Sequence, residues 1–323
     1  MRDYPLHIYV ESDRKHMYIL PSVSRLHDGV GIIGYEFYKL KYSSDLSLIG
    51  KKVKEGFDYI LSKYENTEDP DYTNNQYKGI PWKKRSRVSI TKKEDETYSV
   101  TPTYVDHEIM TCSYLDSQHY PSDISDEELG KAVIEGLERA YNYSLRKEIA
   151  VYFSEKEGLL FVPMAINRTG FVLTDFCRCV KAPYNAEDIR SAIDEAVKFV
   201  NENPEDKRTN KERKENLPWR EYTKYKSLHG FVKSHHCFEI HVLTDGTHIF
   251  IPTLRFDSYD SQFIEYDTVK KTYNGGITND ELKAEIFESL EICDLIYKKH
   301  KENCHHEIFF AYIDKLAEER NRK

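Results

Sequence analysis

The sequence predicts an α+β protein: four β-hairpin-plus-helix units forming two homologous modules, with antiparallel sheets packed against helices. Three observations lead there. An alternating stretch closed by proline occurs four times, as HMYILP at 16–21, TYSVTP at 97–102, GLLFVP at 158–163 and THIFIP at 247–252. After a mixed segment, each copy is followed by a helix with the same apolar stripe. Both tryptophans stand in matching settings, Ile80-Pro81-Trp82-Lys83 and Leu217-Pro218-Trp219-Arg220, each after the first unit of a pair. Such self-similarity is the mark of a repeated supersecondary unit.

The hairpins come first in each unit. Period-two alternation reads as a strand with one buried face. An earlier alternating stretch stands upstream of each copy: LHIYV at 6–10, RVSI at 87–90, IAVYF at 149–153 and FEIHV at 238–242. The connectors are polar and turn-prone, from Ser12-Asp13-Arg14-Lys15 in the first unit to Thr244-Asp245-Gly246 in the last, where Asp-Gly suits a tight turn. Proline lacks the ladder donor, so each second strand is expected to end at its proline.

The helices follow in a common register. Ile49, Val53, Phe57 and Ile60 align with Leu129, Val133, Leu137 and Ala140, with Ile189, Ile193, Val197 and Val200, and with Leu282, Ile286, Leu290 and Cys293. This spacing marks one helix face. Gly56, Gly136, Ala196 and Ser289 precede the third apolar position, small enough for a helix to approach a sheet closely. Ser125 before Asp126-Glu127-Glu128, and Thr278-Asn279-Asp280-Glu281, are helix-start signals. The units, A at about 6–65, B at 85–143, C at 147–203 and D at 227–297, group into modules 1–146 and 147–323. The second module carries an extra C-terminal helix from 298, with a stripe of Ile308, Phe309, Tyr312, Ile313 and Leu316. Linkers 66–80 and 204–216 are polar and expected to be exposed.

Composition bounds the function. A chain of 323 residues suggests about two domains at ~150 residues each. No apolar run reaches the ~20 residues of a membrane span, and Met1-Arg2-Asp3-Tyr4-Pro5 opens no secretory leader; a cytoplasmic location is expected. The six cysteines are scattered and read as reduced thiols. A net charge of -8 argues against general nucleic-acid coating and favours a positively charged partner.

Catalytic constellations are weak. His235-His236 with His241 and His248, and Cys304-His305-His306, raise a metal or hydrolase reading. Adjacent strand residues point to opposite faces, and no acidic or thiol ligand recurs at zinc-like spacing, so no metal and no cofactor is expected. Cys177-Arg178-Cys179 lacks a spaced His and Asn or Asp and reads as two buried small hydrophobes. Gly29 to Gly34 precedes a strand rather than a helix and reads as a turn. The expectation is a non-enzyme.

One segment is unusual. Residues 103–128 hold seven acids (Asp106, Glu108, Asp116, Asp123, Asp126, Glu127, Glu128), three tyrosines (Tyr104, Tyr114, Tyr120) and no Lys or Arg. Unit D echoes it with Asp257, Tyr259, Asp260, Glu265, Tyr266 and Asp267. Tyrosine gives large contact area at low entropy cost, and carboxylates steer a basic partner. The expected partner-binding residues are Asp106, Glu108, Tyr114, Asp116, Tyr120, Asp257, Tyr259, Asp260 and Asp267. The bland account is a solvated strand edge charged against edge-to-edge pairing.

The run from Ser125-Asp126-Glu127-Glu128-Leu129-Gly130 to Glu138, the lead Phe231-Val232-Lys233-Ser234 before Cys237-Phe238-Glu239-Ile240, and Gly246 to Thr253 resemble the immunity proteins of bacterial contact-dependent growth inhibition systems. The likeness spans most of the chain as a tandem of two such modules, where a family member ordinarily has one pair of units. It implies a fold similar to the Whirly single-strand-binding domains. It also implies a non-enzymatic protein that binds and occludes a cognate antibacterial toxin, a nuclease whose basic cleft suits acidic loops. The alternative is a single-stranded nucleic-acid-binding protein, suggested by the aromatics and the basic runs Lys83-Lys84-Arg85-Arg87 and 207–214.

Overall fold

The computed structural model describes residues 6–24, 31–33, 38–64, 86–106, 111–167, 170–255, 263–265, 267–302 and 306–322. The chain divides into two compact units, Met1–Ser144 and Leu145–Lys323. In the first unit, β1 (Leu6–Ser12) and β2 (His16–Ser24) form a hairpin, and two short strands, β3 (Gly31–Ile33) and β4 (Tyr38–Lys41), line the outer side of β2 before helix α1 (Leu46–Tyr64). The plan then repeats with β5 (Ser86–Lys92), β6 (Tyr98–Asp106), outer strands β7 (Thr111–Tyr114) and β8 (Gln118–Tyr120), and helix α2 (Asp126–Ser144). The first strands of the hairpins pair antiparallel, Tyr9 opposite Ser89. The sheet order is therefore β3-β2-β1-β5-β6-β7, with β4 on β2 and β8 on β6.

The second unit has the same order, β11-β10-β9-β13-β14-β15, with β12 on β10 and β16 on β14. Its strands are β9 (Lys147–Ser154), β10 (Gly158–Asn167), β11 (Gly170–Leu173), β12 (Arg178–Val180), β13 (His236–Val242), β14 (His248–Arg255), β15 (Phe263–Glu265) and β16 (Lys271–Tyr273). Its helices are α3 (Ala186–Glu202), α4 (Asn210–Glu215), α5 (Leu228–Val232), α6 (Asn279–Glu302) and α7 (His306–Arg322). Each of the four hairpins turns through one residue of positive φ: Arg14, Glu96, Gly158 and Gly246. Asp13 and Asp245 brace two of these turns by accepting from Lys15 N and Thr247 N at 2.9 Å, the local bond that suits Asp to turns.

The prolines correct the expected strand ends. Pro21, Pro102, Pro163 and Pro252 lie inside β2, β6, β10 and β14, opposite Ile8, Val88, Ile149 and Phe238. Pro102 O accepts from Leu115 N at 2.9 Å and Pro163 O from Thr174 N at 3.0 Å, both on the outer side. The N–H and C=O of a strand residue point the same way. The missing donor thus faces the place where the outer neighbour changes from β8 to β7, or from β12 to β11, and no inner ladder bond is lost. The glycine-rich stretch expected as a turn is corrected too. Gly31–Ile33 is a strand paired with Ser22–Ser24, using the outer side of β2 beyond Pro21.

Alternate strand residues build the core. Ile8, Val10, Met17, Ile19, Val88, Ile90 and Val100 pack on the stripes of α1 and α2, and Ile149, Val151, Phe161, Phe238, Ile240 and Phe250 on those of α3 and α6. Every aligned stripe residue is buried except Val197, which is half-buried. Each large side chain so covered contributes about 1.5–3 kcal/mol. A Cβ on Gly56 would stand 2.8 Å from Ile8 Cδ1, and one on Gly136 2.9 Å from Val88 Cγ2; both helices therefore seat against the central strands, as the small-residue pattern predicts.

A second glycine pair closes the two helices on each other. A Cβ on Gly50 would meet Asp126 O at 1.9 Å, and one on Gly130 would meet Leu46 O at 1.9 Å. The matching residues in the second unit are Arg190 and Lys283. There Arg190 donates to Asn279 Oδ1 at 3.0 Å and to Ile277 O, filling with a side chain the space that the first unit closes with backbone.

The second unit has a further layer. Trp219, Phe231 and Val232 cover Ala150, Tyr152, Leu160 and Val162 on the sheet face away from α3 and α6, with the Trp219 and Phe231 rings stacked at 3.9 Å. Linker 204–216 is largely exposed and ordered around Asp206, which accepts from Arg208 Nε at 2.9 Å and pairs with Arg213. Linker 66–80 and Trp82 lie outside the described residues.

The extra helix begins later than expected, because α6 continues to Glu302. Phe309, Ile313 and Leu316 of α7 bury against Leu254, Val269, Ile292 and Ile296; Ile308, expected in the same stripe, is 52% exposed. Buried Arg320 donates to Ser289 Oγ at 2.9 Å, to the Glu285 carboxylate and to Val269 O, while Tyr273 OH donates to Glu285 Oε2 at 2.8 Å.

Three variants have expected outcomes in urea unfolding measurements. Gly50→Ala should destabilise by about 3 kcal/mol, the upper end of overpacking, whereas Arg190→Ala at the matching place should cost about 1 kcal/mol. Arg320→Met leaves Glu285 buried without its counter-charge and should cost about 3–5 kcal/mol.

Candidate functional site

The acidic, tyrosine-rich stretch of unit B forms one outer margin of the first sheet. Strands β7 and β8 both pair with β6, placing Tyr114 opposite Thr103 and Tyr120 opposite Tyr98, with Asp116 exposed between them. Asp106 ends β6, opposite Thr111. Tyr120 OH donates to Gln118 Oε1 at 2.9 Å, and burial raises its pKa. Beside it lies an open groove of about 260 Å³, lined by Tyr120, Pro121, Ile124, Glu128, Lys131 and Glu135. In the second sheet, β15 and β16 pair with β14 in the same topological position, and Asp267 opens a 3-10 turn (Asp267–Val269) between them. Glu108, Asp257, Tyr259 and Asp260 lie outside the described residues.

Some of the acids have local work. Ser125 Oγ donates to Glu128 Oε2 at 2.8 Å, and Glu128 N to Ser125 Oγ at 3.2 Å, closing the expected capping box. The Ser125 side-chain bond holds the Glu128 pKa below its usual value. Asp126 pairs with Lys54 Nζ at 2.8 Å. These tie α2 down; Asp116, Asp123, Glu127 and Glu128 are exposed on the described part of this margin.

Three arginines of the basic runs have internal partners. Arg87 donates through Nε to Glu11 Oε1 at 2.9 Å and lies over the Tyr9 ring at 5.2 Å. Arg208 and Arg213 hold Asp206. Lys83, Lys84 and Arg85 lie outside the described residues.

The thiols are set for packing. Cys177 and Cys179 are half-buried beside the Trp219 cluster, and burial pushes the Cys177 thiol far above its ordinary range. Burial also raises Cys293 to about 12, its Sγ lying 3.2 Å from Cys237 O. Raised pKa values suppress the thiolate that nucleophilic chemistry needs.

The histidines His235, His236 and His248 do not converge on one another. His235 is buried with Nδ1 2.8 Å from Phe231 O, His236 lies 4.0 Å from Asp294, and His248 Nδ1 is 2.9 Å from Gly246 O. Strand pairing instead assembles residues the sequence leaves apart. His241 on β13 stands directly opposite Glu148 on β9, with Glu239 two residues before it on the same face. Potential ligand atoms of the three lie within 4.8 Å of one another, and Arg146 Nη2 is 2.5 Å from Glu148 Oε1. Burial holds the Glu148 carboxyl above the usual carboxylate range, against the opposing pull of Arg146 and His241. The sequence signal is Glu239 and His241 at alternate positions of β13, with the single carboxylate Glu148 on β9.

No protein-family model and no curated protein matches this chain. Among solved structures, a protein of unknown function from Neisseria meningitidis is similar at 12% identity and a TM-score of 0.30, covering 43% of this chain and 97% of that one. A chain of the CdiA-CT/CdiI toxin and immunity complex from Yersinia pseudotuberculosis is similar at 11% identity and a TM-score of 0.32, covering 42% and 98%. No helix among the described residues is long and apolar enough to cross a membrane.

The thiol environments have a chemical readout. Alkylation at about pH 8, near the ordinary thiol pKa, should leave Cys237 and Cys293 unmodified in the native protein and label both in denaturant. Rapid native labelling of either would show that its burial is not maintained.

Proposed function

We propose that this chain is a non-enzymatic immunity protein that binds a cognate antibacterial toxin, a nuclease, and occludes its active site. The observation that carries the reading is the placement of the two acidic, tyrosine-bearing stretches. Their described parts, Asp106, Tyr114, Asp116 and Tyr120 in the first module and Glu265 and Asp267 in the second, belong to the second hairpin of each module and the strands outside it, beside β6 in one and β14 in the other. The corresponding margin of unit C carries Arg178 and Lys181, so the acidity does not follow from the hairpin plan. A charged sheet edge alone would be satisfied by either sign. Carboxylates interleaved with tyrosines on a fixed margin suit a basic cleft, which they can reach quickly and cover without chemistry. The sequence resemblance to contact-dependent growth inhibition immunity proteins supports the same reading. Against nucleic-acid binding stand the net charge of -8 and the commitment of Arg87, Arg208 and Arg213 to internal carboxylates.

The decisive experiment looks beside the gene for a large secreted protein, whose absence counts against the proposal, and co-expresses this chain with that protein's C-terminal domain. Growth arrest by that domain should be relieved by the chain, and the two should co-purify; arrest without relief sinks the proposal. Changing Asp106, Glu108 and Asp116 to Lys should slow association at least tenfold at low salt while shifting stability by about 0.5 kcal/mol or less. The same change at Asp257, Asp260 and Asp267 measures the second module's share. In ~150 mM salt no complex with single-stranded oligonucleotides is expected; tight binding that weakens steeply with salt would favour the nucleic-acid reading.

A further inference from the structure

We propose that Glu148, Glu239 and His241 form a binding site for one divalent transition-metal ion, such as Zn2+, at the centre of the second module. The three side chains come from the paired central strands β9 and β13 and share the sheet face away from α3 and α6. His241 and Glu148 are cross-strand neighbours, and Glu239 stands opposite Ala150, whose small side chain leaves room between them. His241 Nε2 lies 3.8 Å from Glu148 Oε1 and 3.4 Å from Glu239 Oε2. Tetrahedral bonds of about 2.0–2.2 Å to one nitrogen and two carboxylate oxygens set ligand atoms roughly 3.4 Å apart, which His241 and Glu239 already meet and Glu148 approaches to within a few tenths of an ångström of His241.

Charge favours a cation at this place. Glu148 and His241 are buried, and the Glu239 side chain is 14% exposed. Glu148 is paired with the guanidinium of Arg146, which is itself buried and lies 4.9 Å from the Phe171 ring. Buried charge is costly unless balanced. A divalent ion would give both carboxylates a shared counter-charge, and imidazole with carboxylate is a donor set that borderline metals accept. Arg146, bound to Glu148, then serves as the outer partner that orients a ligating carboxylate. Glu239, at the rim, is the approach from solvent.

The first module supplies the internal comparison. Ile8 opposite Pro21 and Val88 opposite Pro102 correspond to Ile149 opposite Pro163 and Phe238 opposite Pro252. In that register Glu148, Glu239 and His241 match His7, Ser89 and Thr91. There His7 Nδ1 lies 3.1 Å from Thr91 Oγ1, a neutral contact with no carboxylate. The same fold closes the same position without charge, so the ligand-type trio is a property of the second module alone.

The test is calorimetric titration of the full chain with Zn2+, paralleled by the visible absorption of bound Co2+. The wild type should bind one ion per chain with a Kd of about 1 μM or tighter. Glu239→Gln keeps the rim side chain's shape and should weaken binding at least about 100-fold, beyond the loss of a typical outer partner; His241→Ala should abolish it. Weaker or absent wild-type binding overturns the proposal. So does binding unchanged in Glu239→Gln, which folds by circular dichroism even if His241→Ala does not, because the ion then sits elsewhere.

Discussion

Each module depends on the antiparallel pairing of its two first strands, β1 with β5 and β9 with β13. That pairing sets which residues of four strands face the helices, because side chains alternate with a period of two and a slip of one residue would turn Ile8, Val10, Val88 and Ile90 out of the core. Gly56 and Gly136 then let α1 and α2 settle directly over Ile8 and Val88. The remaining structure grows outward from this line: second strands, short outer strands and, in the second module, the Trp219 layer and α7.

The elements legible in the sequence are those whose signal is local. A helix stripe repeats within one helix, and the Ser125–Glu128 and Thr278–Glu281 boxes lie within one turn. Four copies in a common register made the stripe readable even where Ala140 and Cys293 replace larger side chains. The prolines were misread because strand continuity at Pro102 depends on which side its absent donor faces, and the outer strands decide that. Gly50 and Gly130 were passed over because their partners, Asp126 and Leu46, are on a different helix.

The candidate site divides along the same line. The acidic margin was visible as composition, a run with no basic residue, and the register then places Tyr114 and Tyr120 on adjacent outer strands. The cluster of Glu148, Glu239 and His241 was invisible because its members meet only through the pairing of β9 with β13, separated by α3, α4 and α5. The basic run at 207–214 looked like a nucleic-acid contact, yet two of its arginines close around Asp206.

The outer strands bear on solubility. Every sheet margin among the described residues is made of two strands of three or four residues, and each inner neighbour of those strands carries a proline between its two outer partners. A long, continuous edge is a template on which further chains can stack. Here an incoming strand would find only a few ladder bonds before the margin breaks. A protein with two eight-stranded sheets, and so four margins, thus carries at each one a built-in stop against fibrillar growth.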